Sequence, residues 1–209
     1  MVRIFGWVVG LAVLCANPVE AKPPQQPFLT LGAPADVPRG FVELCRSLQQ
    51  VCDTLAGRPS LRLVGGSRPS LDTIGAGQLD QDQARMSLLQ RIGARVNAHV
   101  RQQSDWATYG IGELWRPSGS GRSAVGDCED IAIEKRLELV AAGFPTERLF
   151  FAIVFQSRVG LHTVLVARLD EGDMVLDSLS AFIEPWSKTR YQWLIAEYPG
   201  DPTRWRAIS

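Results

Sequence analysis

Histidine is scarce in this chain: 209 residues contain only His99 and His162. Any cysteine–histidine chemistry therefore has two possible bases and no others. Net charge is absent too. The 22 Lys and Arg balance 22 Asp and Glu, and no basic run breaks the balance, which argues against a nucleic-acid binder. No internal repeat or second domain is visible, and a 45% hydrophobic composition suits one globular domain with a sizeable core. A membrane-spanning run is missing as well, because the apolar stretch Ile4 to Ala16 is too short to cross a bilayer. It follows the charged Arg3 and precedes Val19-Glu20-Ala21, which offers small residues at the −3 and −1 positions of a cleavage site. Residues 1–21 thus read as a signal peptide. The mature chain would begin at Lys22, in an oxidising, calcium-containing compartment.

Cysteine is the other sparse residue. Beyond Cys15 in the leader there are Cys45, Cys52 and Cys128, an odd number. Cys45 and Cys52 sit in a segment, Phe41 to Leu55, whose Phe41, Leu44, Leu48, Val51 and Leu55 have helical spacing. In an unbroken helix residues seven apart are about 10 Å apart, too far for a disulfide. Either the helix breaks near Ser47 to Gln50, or both thiols are simply buried; export favours the bridge. Cys128 is then left as a free thiol.

What is present is organised around Gly126-Asp127-Cys128-Glu129-Asp130. The residues after it, with Ile133, Leu137, Val140 and Ala141 recurring at i, i+4, i+7 and i+8, predict a helix, stopped by Gly143 and Pro145. Gly126 and Asp127 supply the turn and the N-cap. A thiol in the first turn meets unpaired backbone N–H groups and the positive end of the helix dipole, which favour thiolate. Three neighbouring carboxylates oppose this. They complement the dipole, but their effect on the thiol calls for something to neutralise them.

Around this stretch, residues 22–40 are Pro-rich and read as an extended, mobile lead-in, with the folded domain over 41–209. Leu61 to Val64 reads as a short strand inside the loop Gly57 to Gly77. Leu79 to Val100 predicts the longest helix, buried along Leu89, Ile92, Val96 and Val100. His99 falls beside that stripe and reads as a surface or packing residue. Asp105 to Gly121 reads as irregular and aromatic, with Trp115 either lining a groove or anchoring the core. Leu149 to Phe155, His162 to Ala167 and Met174 to Asp177 predict an antiparallel meander. Trp186, Tyr191, Trp193 and Trp205 follow in a tail expected to cover one face. If the last two meander strands pair, the start of one lies beside the end of the other. His162 and Asp177 then meet at one sheet edge, where the Cys128 helix presents its N-terminus. This yields candidate roles: Cys128 nucleophile, His162 general base and then acid, Asp177 holding the imidazole tautomer, and the Cys128 backbone N–H as an oxyanion donor.

The stretch Gly126 to Asp130, the downstream Lys135-Arg136, Leu161-His162-Thr163-Val164-Leu165 and Val175-Leu176-Asp177 together resemble the bacterial transglutaminase-like cysteine proteinases. The characterised branch of that family is a periplasmic, calcium-dependent, adhesin-releasing protease (the LapG type). Trp115 with Pro117 resembles the aromatic-then-proline element ahead of the family cysteine, and Cys45 with Cys52 resembles an N-terminal pair found in part of the family. The resemblance implies an α+β, papain/transglutaminase-like fold with N-terminal helices and a catalytic-cysteine helix packed on an antiparallel sheet. It also implies a Cys128, His162, Asp177 triad, and calcium bound by Asp127, Glu129 and Asp130. It implies a monomeric periplasmic endopeptidase with a protein substrate. A large surface adhesin is the candidate substrate, linked to biofilm, and an inner-membrane receptor the candidate regulator. Ser178, Ile131 and Thr163 depart from the residues usual in the family. The same triad would serve acyl transfer to an amine, as in a transglutaminase or amidase. A non-enzymatic calcium-dependent binding module is the alternative from another class.

Overall fold

A computed structural model describes residues 27–58 and 78–209, the side chains of 78–80 excepted. Residues 1–21, read as a signal peptide, and the strand expected at Leu61 to Val64 lie outside these residues. In chain order the elements are β1 (Leu31–Ala35), α1 (Arg39–Ser47), α2 (Gln49–Leu55), α3 (Gln78–His99), β2 (Arg101–Gln102), α4 (Asp105–Tyr109), β3 (Val125–Gly126) and α5 (Cys128–Ala141). They continue as β4 (Leu149–Gln156), β5 (Gly160–Leu169), β6 (Gly172–Leu176), β7 (Glu184–Pro185), β8 (Gln192–Tyr198) and β9 (Asp201–Ile208).

The predicted meander is present. β4, β5 and β6 pair antiparallel in succession, with Val154 opposite His162 and Leu165 opposite Leu176. They form the middle and one side of a seven-stranded antiparallel sheet ordered β1-β9-β8-β4-β5-β6-β7. Two expectations change here. Leu31–Ala35, inside the stretch read as a mobile lead-in, is an edge strand paired to β9. The C-terminal tail does more than cover a face, since β8 and β9 extend the sheet beyond β4. Their charged residues masked the strand pattern. Glu197 of β8 is fully buried and takes two hydrogen bonds from the Arg136 guanidinium of α5. It also accepts the Phe151 N–H.

Each face of the sheet buries one cluster, as period-two alternation requires. On the helix side, Phe151, Leu165, Ala167, Leu176 and Trp205 pack with Phe41, Leu89, Ile92, Val96, Ile131 and Leu139. On the other side, Phe150, Val154, Val164, Val166 and Val175 pack with Leu29, while Trp186, Tyr191 and Trp193 lie against them. The tail aromatics thus divide between the faces. Trp115 is a core anchor, edge-on to Phe41 and Phe151 at 5.7 and 6.0 Å between centroids.

The two N-terminal helices explain the cysteine pair. Leu48, at φ −127° and ψ 61°, separates α1 from α2. The break brings the Cys45 and Cys52 Cα atoms to 5.0 Å, and the two thiols form a disulfide. The helix interruption and the bridge are one feature.

Candidate active site

Cys128 is the first residue of α5, and the turn before it is built by close contact. A β-carbon on Gly126 would fall 2.5 Å from the Asp130 β-carbon, so only glycine lets the chain enter the helix this tightly. Gly126 also belongs to β3, whose parallel pairing with β2 sets Gln102 beside Gly126. That short pairing delivers Ser104-Asp105 to the mouth of α5. Asp127 occupies the N-cap position without capping the helix by its side chain. Instead its Oδ2 accepts the Asp105 N–H at 3.2 Å.

His162 and Asp177 meet as the antiparallel register of β5 and β6 predicts. His162 Nε2 donates to Asp177 Oδ1 at 2.7 Å, and the two side chains are 1% and 7% exposed. The low exposure shields the pair from competing water. Asp177 also accepts the Leu179 N–H at 2.9 Å and the Tyr191 hydroxyl. Burial pushes its carboxyl up, but the hydrogen bonds from His162, Leu179 and Tyr191 outweigh burial and hold it below the ordinary carboxylate value. Its main-chain oxygen accepts from Lys135 Nζ at 2.9 Å and from Asn97 Nδ2 at 2.8 Å. With Nε2 committed to Asp177, Nδ1 is the imidazole nitrogen left to receive a proton.

The thiol lies against the residue next to His162: the Thr163 N–H donates to Cys128 Sγ at 3.4 Å. The thiol itself donates to Glu129 Oε2 at 3.0 Å. Burial first, then the Glu129 charge, pushes the thiol well above its usual value, with the Thr163 N–H acting in the opposite sense. Burial and the adjacent carboxylate thus both favour the thiol over the thiolate. The carboxylates expected to oppose the thiolate do so, Glu129 and Asp127 adding to the larger effect of burial.

Those carboxylates are themselves crowded. Burial and then Asp127 raise Glu129 to about 7. Burial raises Asp130 to about 8, against the Arg116 N–H and with Asp127, Glu129 and Asp105 adding to the rise. Burial and then Asp127 also raise Asp105. One carboxylate oxygen each from Asp105, Asp127 and Glu129 lies within 4.8 Å of the others. Asp105 Oδ1 and Asp127 Oδ1 are buried without a hydrogen-bond partner. An all-oxygen donor set with unsatisfied acceptors fits a hard divalent cation such as calcium.

This set differs from the one the sequence suggested. Asp130 is not among the three whose oxygens converge: its Oδ1 accepts the Arg116 N–H at 2.8 Å and its side chain packs on Gly126, while its Oδ2 is buried without a partner. Asp105, unremarked in the sequence, takes its place. Only the β2–β3 pairing, two residues long in each strand, brings it near, and so short a pairing leaves no periodic signal. The stretch read as irregular also contains the five-residue α4 that begins at Asp105. His99 is a surface residue bonded to Gly121 O at 2.7 Å.

A family model described as bacterial transglutaminase-like cysteine proteinase matches residues 31–209. No curated protein matches by sequence. Among solved structures, EGTA-treated LapG from Legionella pneumophila is similar at 20% identity and a TM-score of 0.46, over 78% of this chain and 83% of that one. The calcium-bound form of the same protein is similar at 20% identity and a TM-score of 0.45, over 75% and 81%.

Proposed function

The chain belongs to the bacterial transglutaminase-like cysteine proteinase family, and from that premise we propose that it is a periplasmic, calcium-dependent endopeptidase acting through Cys128, His162 and Asp177. The observation that carries this reading is the buried 2.7 Å bond between His162 and Asp177, one residue from the Thr163 N–H that touches the thiol. It supports a base already fixed in tautomer and oriented toward a nucleophile.

In the proposed reaction His162 Nδ1 takes the thiol proton, and Sγ attacks the scissile carbonyl. The developing oxyanion faces the Cys128 backbone N–H at the start of α5. His162 then gives its proton to the leaving amine, which departs and leaves a thioester on Cys128. Water, deprotonated by His162, hydrolyses the thioester and restores the thiol. Asp177 remains ionised and supports the imidazolium. Asp105, Asp127 and Glu129 are the residues suited to hold calcium. Bound there, calcium would supply positive charge that cancels the carboxylates now raising the thiol pKa.

Export to the periplasm is supported by the sequence of residues 1–21 and by the Cys45–Cys52 bridge, which suits an oxidising compartment. An exported or surface protein, an adhesin among the candidates, is the matching substrate class. The test exposes a periplasmic and surface protein extract to the mature chain with calcium, and maps new N-termini by mass spectrometry. Cuts that vanish with Cys128→Ala, in a variant that melts like wild type, are the expected result. Identical termini with and without Cys128 would refute the reading.

A further inference from the structure

Tyr191 lies in the connection between β7 and β8, outside the elements that carry the chemistry above. Its hydroxyl nevertheless donates to Asp177 Oδ2. Its ring stands 5.9 Å from the His162 ring, the planes tilted by 51°. Behind it Trp193 packs edge-on at 6.4 Å, and Trp186 packs edge-on to Trp193 at 5.9 Å. Trp193 is pinned in turn, its Nε1 donating to the Thr189 hydroxyl at 3.2 Å. The phenol is thus clamped by aromatic neighbours while it touches both members of the His162–Asp177 pair.

Such a contact matters because an aspartate carboxylate rotates about its last side-chain torsion. Asp177 Oδ1 alone serves both His162 and the Leu179 N–H, and a donor on Oδ2 is what fixes the plane of the group. We propose that Tyr191 is a positioning residue: it locks the Asp177 carboxylate so that Oδ1 faces His162 Nε2, and its ring bounds the imidazole on one side. This rests on the Cys128, His162, Asp177 reading.

The groups facing Asp177 are His162 from β5, Tyr191, the Leu179 N–H, and Lys135 of α5 and Asn97 of α3 on its main-chain oxygen. Burial and the Asp177 carboxylate push the Tyr191 phenol up, so it stays a donor throughout the working range. Removing that donor lets the Asp177 carboxyl titrate at higher pH.

The test uses Tyr191→Phe in the mature chain, which keeps the ring and removes the hydroxyl. Iodoacetamide alkylation of Cys128 is followed against pH with calcium present, together with the proton NMR signal of the His162 ring N–H. With only two histidines in the chain, His99→Gln assigns that signal. The expected result is an alkylation rate lower by about tenfold, as loss of a charge-assisted hydrogen bond implies. The His162 ring N–H signal shifts or exchanges away. An unaltered rate profile and ring signal would overturn the proposal. So would a lower rate with an unchanged ring signal, which would mark a merely structural tyrosine. Fluorotyrosine incorporation, affecting only three positions, reads the same signal without destabilising the fold; a signal indifferent to it also counts against the proposal. If the triad reading itself fails, His162→Ala will leave the alkylation rate unchanged, and the ring signal then decides the role of Tyr191 independently.

Discussion

Glu129 contributes in two ways at the residue scale. It is a candidate cation ligand with Asp105 and Asp127, and it is also the acceptor that holds the Cys128 thiol. A carboxylate in this place adds to burial in favouring the thiol over the thiolate. Another buried acid, Glu197, is fully paired with Arg136, with side chains 0% and 1% exposed. The guanidinium also lies over the Phe151 ring at 4.8 Å and bonds to Leu55 O, so α2, α5, β4 and β8 meet at this pair. Replacing Glu197 by Ala leaves a buried cation without its partner, which costs about 3–5 kcal/mol. Urea denaturation should show the loss in midpoint, and replacing both partners by apolar residues should recover most of it. At this scale the sequence was informative about reactive groups and silent about company. Cys128, His162 and Asp177 were legible because a helix start and two strand ends point to one edge. Asp105 was not, because its approach depends on a two-residue pairing, and Tyr191 read only as a packing aromatic.

Among the elements, the ones with strong periodicity were legible: α3, α5 and the β4–β5–β6 meander follow the apolar spacing of the chain. β1, β8 and β9 were hidden for separate physical reasons. Proline and few apolar residues obscured β1. In β8 and β9 a buried Glu197 and the surface charges Arg204 and Arg206 broke the alternation that identifies a strand. The α1–α2 break was legible only as a choice, since helical spacing and a disulfide cannot coexist over seven residues without it. Its stability effect follows from the small loop it closes. Replacing Cys45 and Cys52 by Ser should cost about 2 kcal/mol from lost restriction of the unfolded chain. The melting temperature should fall, while the Cys128 alkylation rate at low temperature stays the same. An unchanged melting temperature would show that the bridge adds nothing to the break already imposed by Leu48.

For the whole molecule, the acidic mouth of α5 couples pH, cation and stability. Glu129 and Asp130 are raised to about 7 and about 8 in the fold, above their ordinary values of 4.5 and 3.8. Between those limits the folded chain therefore binds more protons than the unfolded chain. Stability must then fall as pH rises from about 4 toward about 8. A cation on the ionised carboxylates should reverse that trend, since it binds the folded chain and competes with protons. Calorimetry in chelator should give a melting temperature that drops across this range, and calcium should raise it most at the alkaline end. Magnesium, which dehydrates reluctantly and demands octahedral geometry, should be a poor substitute. A melting curve indifferent to pH and calcium would remove the cation from the account.

The most direct measurement is the rate at which a thiol-directed alkylator modifies Cys128 in the purified protein, located by mass mapping. It is made on wild type and on His162→Ala, each with calcium and with chelator. The account predicts fast modification only in wild type with calcium, and slow modification in the other three samples. Slow labelling of wild type that neither His162 nor calcium alters would contradict it, because the thiol would then have no base.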